Sequence, residues 1–201
     1  MFNSFAGQDS WILETLNNKT NGVFVDLGAG DGIKFNSTYS LEKDYSWTGV
    51  CVESNTTKYN QLILNRTSYN KNIVINTYKG QCMIDQDGKI SESGITVNCD
   101  TFENIVIESG IPNQIDYLSI NVGGKELDIL KTINFNNFNI KIITVDHDYY
   151  FSNMYYKWEI FYYLNNIGFN RVASDVHCLN QYAEEYGRQP YQDWYVNPNF
   201  I

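Results

Sequence analysis

The clearest chemical signal in the chain is the run Asp26-Leu27-Gly28-Ala29-Gly30-Asp31-Gly32. It directly follows a short apolar stretch, Val23–Leu27, of the kind that forms a buried parallel strand. Glycines there let the chain turn sharply and bring backbone N–H groups against a ligand with no Cβ in the way. A dinucleotide loop needs G-x-G-x-x-G, and its last position here is Ile33, so that pattern fails. The spacing is instead D-x-G-x-G-x-G. A second apolar stretch, Gly49–Glu53, ends in a carboxylate 21 positions after Gly32. A carboxylate at that place can accept hydrogen bonds from both hydroxyls of a ribose. Together the two signals point to a bound nucleoside.

A second group could move protons. Val145-Asp146-His147-Asp148 ends another apolar stretch, and His147 is one of 2 histidines. Flanking carboxylates can orient an imidazole and raise its pKa, which suits a general base. Tyr149, Tyr150 and Phe151 follow at once and are candidates for an acceptor-binding surface, because aromatic faces suit sugar rings and other neutral molecules. Trp158, Phe161 and Tyr162 read as the core face of a helix. His177 has no comparable context and reads as structural.

These residues need a scaffold. Strands are expected at Val23–Leu27, Gly49–Glu53, Asn72–Thr77, Ile115–Val122, Ile140–Asp146, Phe169–Ala173 and Asp193–Val196. Helices are expected at Ser10–Leu16 with Asp9 as a cap, at Thr56–Leu64, from Lys125, and at Lys157–Asn166 with Gly168 closing it. Cys82–Val97 looks like a hairpin insertion turning at Asp87-Gly88. The alternation implies an α/β fold with a mainly parallel sheet, in which ligands sit beyond the carboxyl ends of the strands.

The 201 residues suit one domain spanning 1–201. Net charge is −9 with 14 Lys plus Arg, which disfavours nucleic acid as the main partner. No apolar run is long enough for a membrane helix, and the first ten residues lack a signal-peptide pattern, so a cytoplasmic protein is expected. Cys51, Cys82, Cys99 and Cys178 show no metal or redox spacing and read as reduced, mostly buried thiols. No metal site is expected.

Gly7-Gln8-Asp9, Val25–Gly32, Asn36–Glu42, Trp47–Glu53 and Ile115–Ile120, with Gly124 and Glu126, resemble the FkbM family of class I methyltransferases from about Gly7 to Val196. The resemblance implies a Rossmann-like, seven-stranded sheet with one antiparallel strand and helices on both faces. It implies S-adenosyl-L-methionine as cofactor, held by Asp26, Gly28, Ala29, Gly30, Asp31, Gly32 and Glu53 with Thr38 close by. It implies methylation of an oxygen, on a sugar or glycan precursor. One departure stands out. The family motif S-I-D-V-E-G-x-E reads here Ser119-Ile120-Asn121-Val122-Gly123-Gly124-Lys125-Glu126, so two carboxylates are missing. Asn121 can orient an acceptor but cannot take its proton. His147, with Asp146 in the family's acidic place, is then the expected base. The rival expectation is a degenerate module that keeps the fold without methyl transfer.

Overall fold

The computed structural model describes residues 3–147 and 156–200. Its main sheet has seven strands. In chain order they are β1 (Val23–Leu27), β2 (Thr48–Glu53), β3 (Tyr69–Asn72), β7 (Gln114–Ile120), β8 (Asn139–Asp146), β9 (Asn170–Val176) and β10 (Gln192–Val196). Their spatial order is β3-β2-β1-β7-β8-β10-β9. Neighbours from β3 to β8 pair parallel, and β10 runs antiparallel to both β8 and β9. The sheet is therefore mostly parallel with one reversed strand, as expected. The order reverses at β1, so β1 and β7 open a crevice at their carboxyl ends.

Period-two alternation gives the sheet two apolar faces. Val25, Val50, Leu118 and Ile143 pack on α4 (Phe102–Ser109), α5 (Glu126–Thr132) and α6 (Tyr156–Asn166). Their neighbours Phe24, Cys51, Tyr117 and Ile142 pack on α1 (Gln8–Thr15), α2 (Tyr39–Tyr45) and α3 (Thr56–Asn65). The cysteines are free thiols, three of them buried. Among the described residues no helix is long and apolar enough to cross a membrane.

Four local expectations change; in α6 the buried apolar residues are Ile160 and Leu164, while Trp158 and Tyr162 are exposed and not core. The third sheet strand is Tyr69–Asn72, paired with Val50–Glu53, and not Asn72–Thr77. An edge strand suits the half-polar YNKN. The more apolar Val74–Ile75 (β4) is drawn instead into a small sheet, β4-β6-β5, where Val74, Ile84 and Cys99 form a separate core. In that sheet β5 (Gly80–Ile84) and β6 (Ile95–Asp100) pair antiparallel, but residues 85–94 join them, and Asp87-Gly88 turns only a short inner loop pinned by Asp85. Asp9 does not cap α1, whose N-cap is Gly7. Its buried carboxylate accepts hydrogen bonds from Asn3, Ser4 and Ser40, tying the amino-terminal segment to α2.

Candidate active site

The glycine loop leaves β1 and is locked on both sides. Gly28 and Ala29 donate N–H groups to the Val52 carbonyl at 2.9 and 3.0 Å. Gly28 has φ +91°, and a Cβ there would lie 1.9 Å from the Asn121 carbonyl oxygen. Gly30 also has positive φ, +63°, but a Cβ there meets nothing within 4 Å. Gly28 is thus needed by the protein's own packing, while the space at Gly30 faces outward. Glu53 fastens the loop: its Oε2 accepts the Gly30 N–H at 2.8 Å and its Oε1 the Asn55 N–H at 2.7 Å. Burial pushes the Glu53 carboxyl above its ordinary 4.5 despite those two donors.

Beneath the loop lies a polar network. Asp26 is buried, and its Oδ2 accepts from Asn36 Nδ2 at 2.8 Å and Thr38 Oγ1 at 2.9 Å. Arg66, at the end of α3, donates to Asn36 Oδ1, to Thr38 Oγ1 and to Glu42 Oε2, the last at 2.8 Å. Burial raises the Asp26 pKa more than Arg66 and its hydrogen bonds lower it. Glu42 goes the other way: burial raises it, but Arg66 and the Thr67 N–H prevail and hold it low. Arg66 carried no sequence signal, because a basic residue after a helix usually stays in solvent.

Two cavities flank the loop. One, of about 160 Å³, is lined by Glu53, Val52, Ile75, Lys89, Ile90 and Val122. The other, of about 330 Å³, is lined by Asp26, Ser119, Asp146, Gln8, Tyr191 and Phe35, among others. Gly28, Gly30, Lys58 and Asn121 border both. In the second cavity Gln192 Nε2 donates to Asp146 Oδ1 at 2.6 Å. Gln8 Nε2 in turn donates to Gln192 Oε1 and to the Tyr191 hydroxyl, both at 3.0 Å. Burial, then the Asp146 charge, pushes the Tyr191 phenol well above 10, so it remains a protonated donor.

The structure thus brings together Asp26, Gly28, Ala29, Gly30, Glu53, Asn121 and Asp146. It does not bring His147 to the same cleft. Neighbours on a strand point to opposite faces. Asp146 pairs with Gln192, while His147 Nε2 lies 3.5 Å from Asp193 Oδ1 on the other side. His147, Asp175 and Asp193 present donor atoms within 4.8 Å of one another, a possible cation cage. Lys157 already pairs with Asp175 and Arg171 with Asp193, so the two carboxylates are balanced without a metal. Asp31 spends its Oδ1 on the Ile33 and Lys34 N–H groups and lines neither cavity. Thr38 is fully buried beneath Asp26. Tyr149, Tyr150 and Phe151 lie outside the described residues. Gln8, Lys58, Ser119, Tyr191 and Gln192 were missed as site residues. Gln8 and Ser119 lie within the segments that resemble the family, and Lys58, Tyr191 and Gln192 carry no signal until the topology brings them to the cleft.

A profile described as the methyltransferase FkbM domain matches residues 26–187. The chain belongs to the FkbM methyltransferase family. A search of curated proteins returns no sequence match. Among solved structures, the FkbM chain is similar to a precorrin-6y C5,15-methyltransferase from Geobacter metallireducens, at TM-score 0.53 and 11% identity, covering 94% of this chain and 86% of that one. A protein of the NADB-Rossmann superfamily from Streptococcus agalactiae gives 0.54 and 11%, with 98% and 70% covered. The METTL16 methyltransferase domain gives 0.53 and 10%, with 96% and 66% covered. At such identities the likeness concerns the fold, a Rossmann-like methyltransferase fold.

Proposed function

We propose that this FkbM chain is an S-adenosylmethionine-dependent O-methyltransferase acting on a hydroxyl of a sugar or glycan precursor. One observation carries the reading: two cavities, one lined by the Glu53 carboxylate and one by those of Asp26 and Asp146, meet at Gly28, Gly30 and Asn121. The residues fit the cofactor. Glu53 offers its remaining lone pairs to the ribose, Ile75, Ile90 and Val122 flank the base, and the open space at Gly30 admits the chain beyond the ribose. The carboxylate of Asp26, with a net charge of −9 around it, favours the ammonium and sulfonium.

When bound, S-adenosylmethionine supplies a methyl group on a positively charged sulfur. The chain's own groups do the rest. Asp146 lines the second cavity, where it would take the proton of an acceptor hydroxyl, a role in which a positioned base adds about 10²–10⁴-fold. Gln192 fixes the Asp146 carboxylate. Asn121, exposed where the cavities meet, orients the acceptor. This assigns the base to Asp146 in place of His147. The net charge argues against a long nucleic-acid acceptor.

Calorimetric titration with S-adenosylmethionine, with NAD as control, tests the cofactor assignment; saturation by the first alone is expected. The degenerate-module reading has one observation behind it. Gly123 stands where the motif it resembles has a carboxylate, and the Lys89 stem lies 2.9 Å from the place of its missing Cβ. Saturable cofactor binding with no turnover across sugars and nucleotide sugars would favour that reading.

A further inference from the structure

Two lysines at the acceptor side of the cleft have no described carboxylate within ion-pair distance, in a chain that has carboxylates to spare. Carboxylates number 23 against 14 Lys plus Arg. Among the described residues, Lys19, Lys71, Lys79, Lys125, Lys141 and Lys157 each sit within ion-pair distance of a carboxylate. Lys34 and Lys58, both exposed on the rim of the acceptor-side cavity, have no such partner. Lys43, Lys89, Lys131 and Arg188 also lack one; Lys89 lines the smaller cavity beside Glu53, and the other three line neither.

Lys34 is also held in place. Its ammonium lies 5.0 Å from the Phe35 ring centre and 5.7 Å from that of Tyr186. Phe35 belongs to a wall: the Phe5 ring lies tilted, 4.7 Å from that of Phe35 and 5.5 Å from that of Tyr191. Phe35 sits at φ +60°, unusual for a bulky residue, with Ser4 bridged to it. The cavity is therefore graded. Asp26 and Asp146 lie buried at its floor, an aromatic wall rises on one side, and two exposed cations with no carboxylate in ion-pair distance stand at its mouth. A neutral acceptor gives no reason for such cations. An anion does, because within a Debye length of about 8 Å local charges outweigh the distant net charge.

We propose, resting on the methyltransferase reading above, that the acceptor is a phosphorylated sugar: its ring lies on the Phe5–Phe35–Tyr191 wall, its reacting hydroxyl reaches Asp146, and its phosphate is gripped by Lys34 and Lys58. One or two phosphates suffice, so the proposal does not conflict with the acidic surface that opposes long polyanions.

The test is titration of the protein, saturated with S-adenosylhomocysteine, with UDP-glucose, glucose 1-phosphate, methyl glucoside and inorganic phosphate. The sugar phosphates are expected to bind and the methyl glucoside to bind at least tenfold more weakly. K34A should weaken the sugar phosphates roughly tenfold, and K34A/K58A further, with a steep dependence on salt. K131A removes the same charge elsewhere and should change nothing. Equal binding of the neutral sugar overturns the proposal. So does full affinity in K34A, or inorganic phosphate binding as well as the sugar phosphates, which would mark a bare anion site. Cofactor binding in the same preparation is read separately. Its absence would overturn the methyltransferase reading, whereas its presence beside unaltered K34A affinities overturns only the phosphate assignment.

Discussion

The Glu53 carboxylate at the end of β2 accepts the backbone N–H of Gly30, at 2.8 Å, in the loop that leaves β1. The two strongest sequence signals are therefore one physical unit. The residue expected to hold a ribose also sets the loop assigned to the proposed cofactor.

Cofactor affinity should fall on mild acidification, before the fold is lost. Burial holds Glu53 and Asp26 above their ordinary values of 4.5 and 3.8, so both gain protons at a higher pH than exposed carboxyls do. Raised carboxyl values make their ionised forms a burden on stability at neutral pH, a burden relieved as pH falls through the raised values. Glu42, Asp116 and Asp193 are held low, by Arg66, by Lys19 with Lys141, and by His147 with the Asp175 N–H, each against burial. Their stabilisation is full above the ordinary carboxyl values and is lost only as pH falls through the lowered ones. Calorimetry from pH 7 to about 5 should show weakening affinity at constant circular dichroism. E53Q should bind weakly throughout with a flatter profile. An unchanged profile in E53Q would show that Glu53 does not bind the ribose.

The glycines of the loop should separate by variant. G28A places a methyl 1.9 Å from a backbone oxygen at φ +91°, and no side chain can yield there. It should not fold stably. G30A keeps its surroundings clear and costs only the left-handed backbone, about 1 kcal/mol, or a fall of about 2–4 °C in Tm. Its methyl enters the space assigned to the cofactor, so binding should drop at least tenfold. Thermal melts with and without S-adenosylmethionine read both effects. A G30A protein with full affinity would place the cofactor elsewhere.

Arg66 should be the most costly cation to remove. Its side chain is 0% exposed and serves Glu42, Asn36 and Thr38, which in turn hold Asp26. R66M leaves those groups buried without their cation and should destabilise the fold by about 3–5 kcal/mol in urea denaturation. A loss below 1 kcal/mol would show that water replaces the guanidinium.

How much of this was legible depends on distance along the chain. The bounds of β1 are legible because Val23–Leu27 is an apolar run, buried from Phe24 to Leu27, and is stopped by a glycine. α4 was missed although Thr101 caps it and Gly110 ends it, because its apolar residues Phe102, Ile105 and Val106 fill only two turns. Asn72–Thr77 was misplaced because periodicity cannot say which sheet an apolar run joins. The cofactor loop could be read, since its meaning lies in adjacent residues. The acceptor cavity could not, since Gln8 meets Tyr191 and Gln192 across more than 180 positions of chain.

Asp146 and His147 offer the sharpest functional test, because adjacent positions face different surroundings. D146N keeps the shape of the side chain and can still meet Gln192, so the fold should persist. Without a carboxylate in the acceptor cavity, turnover should fall about 10²–10⁴-fold while cofactor affinity holds. H147Q should leave the acceptor cavity unchanged and act on the pairing with Asp193, which also binds Arg171 and the Asp175 N–H. Its effect should therefore appear in the melting temperature and not in the pH dependence of turnover. Single-turnover rates across pH, measured for both variants with a sugar phosphate that the wild type methylates, distinguish the two. If H147Q loses the rate and D146N keeps it, the proton leaves by the imidazole, and the face seen here for His147 is not the one it uses in catalysis.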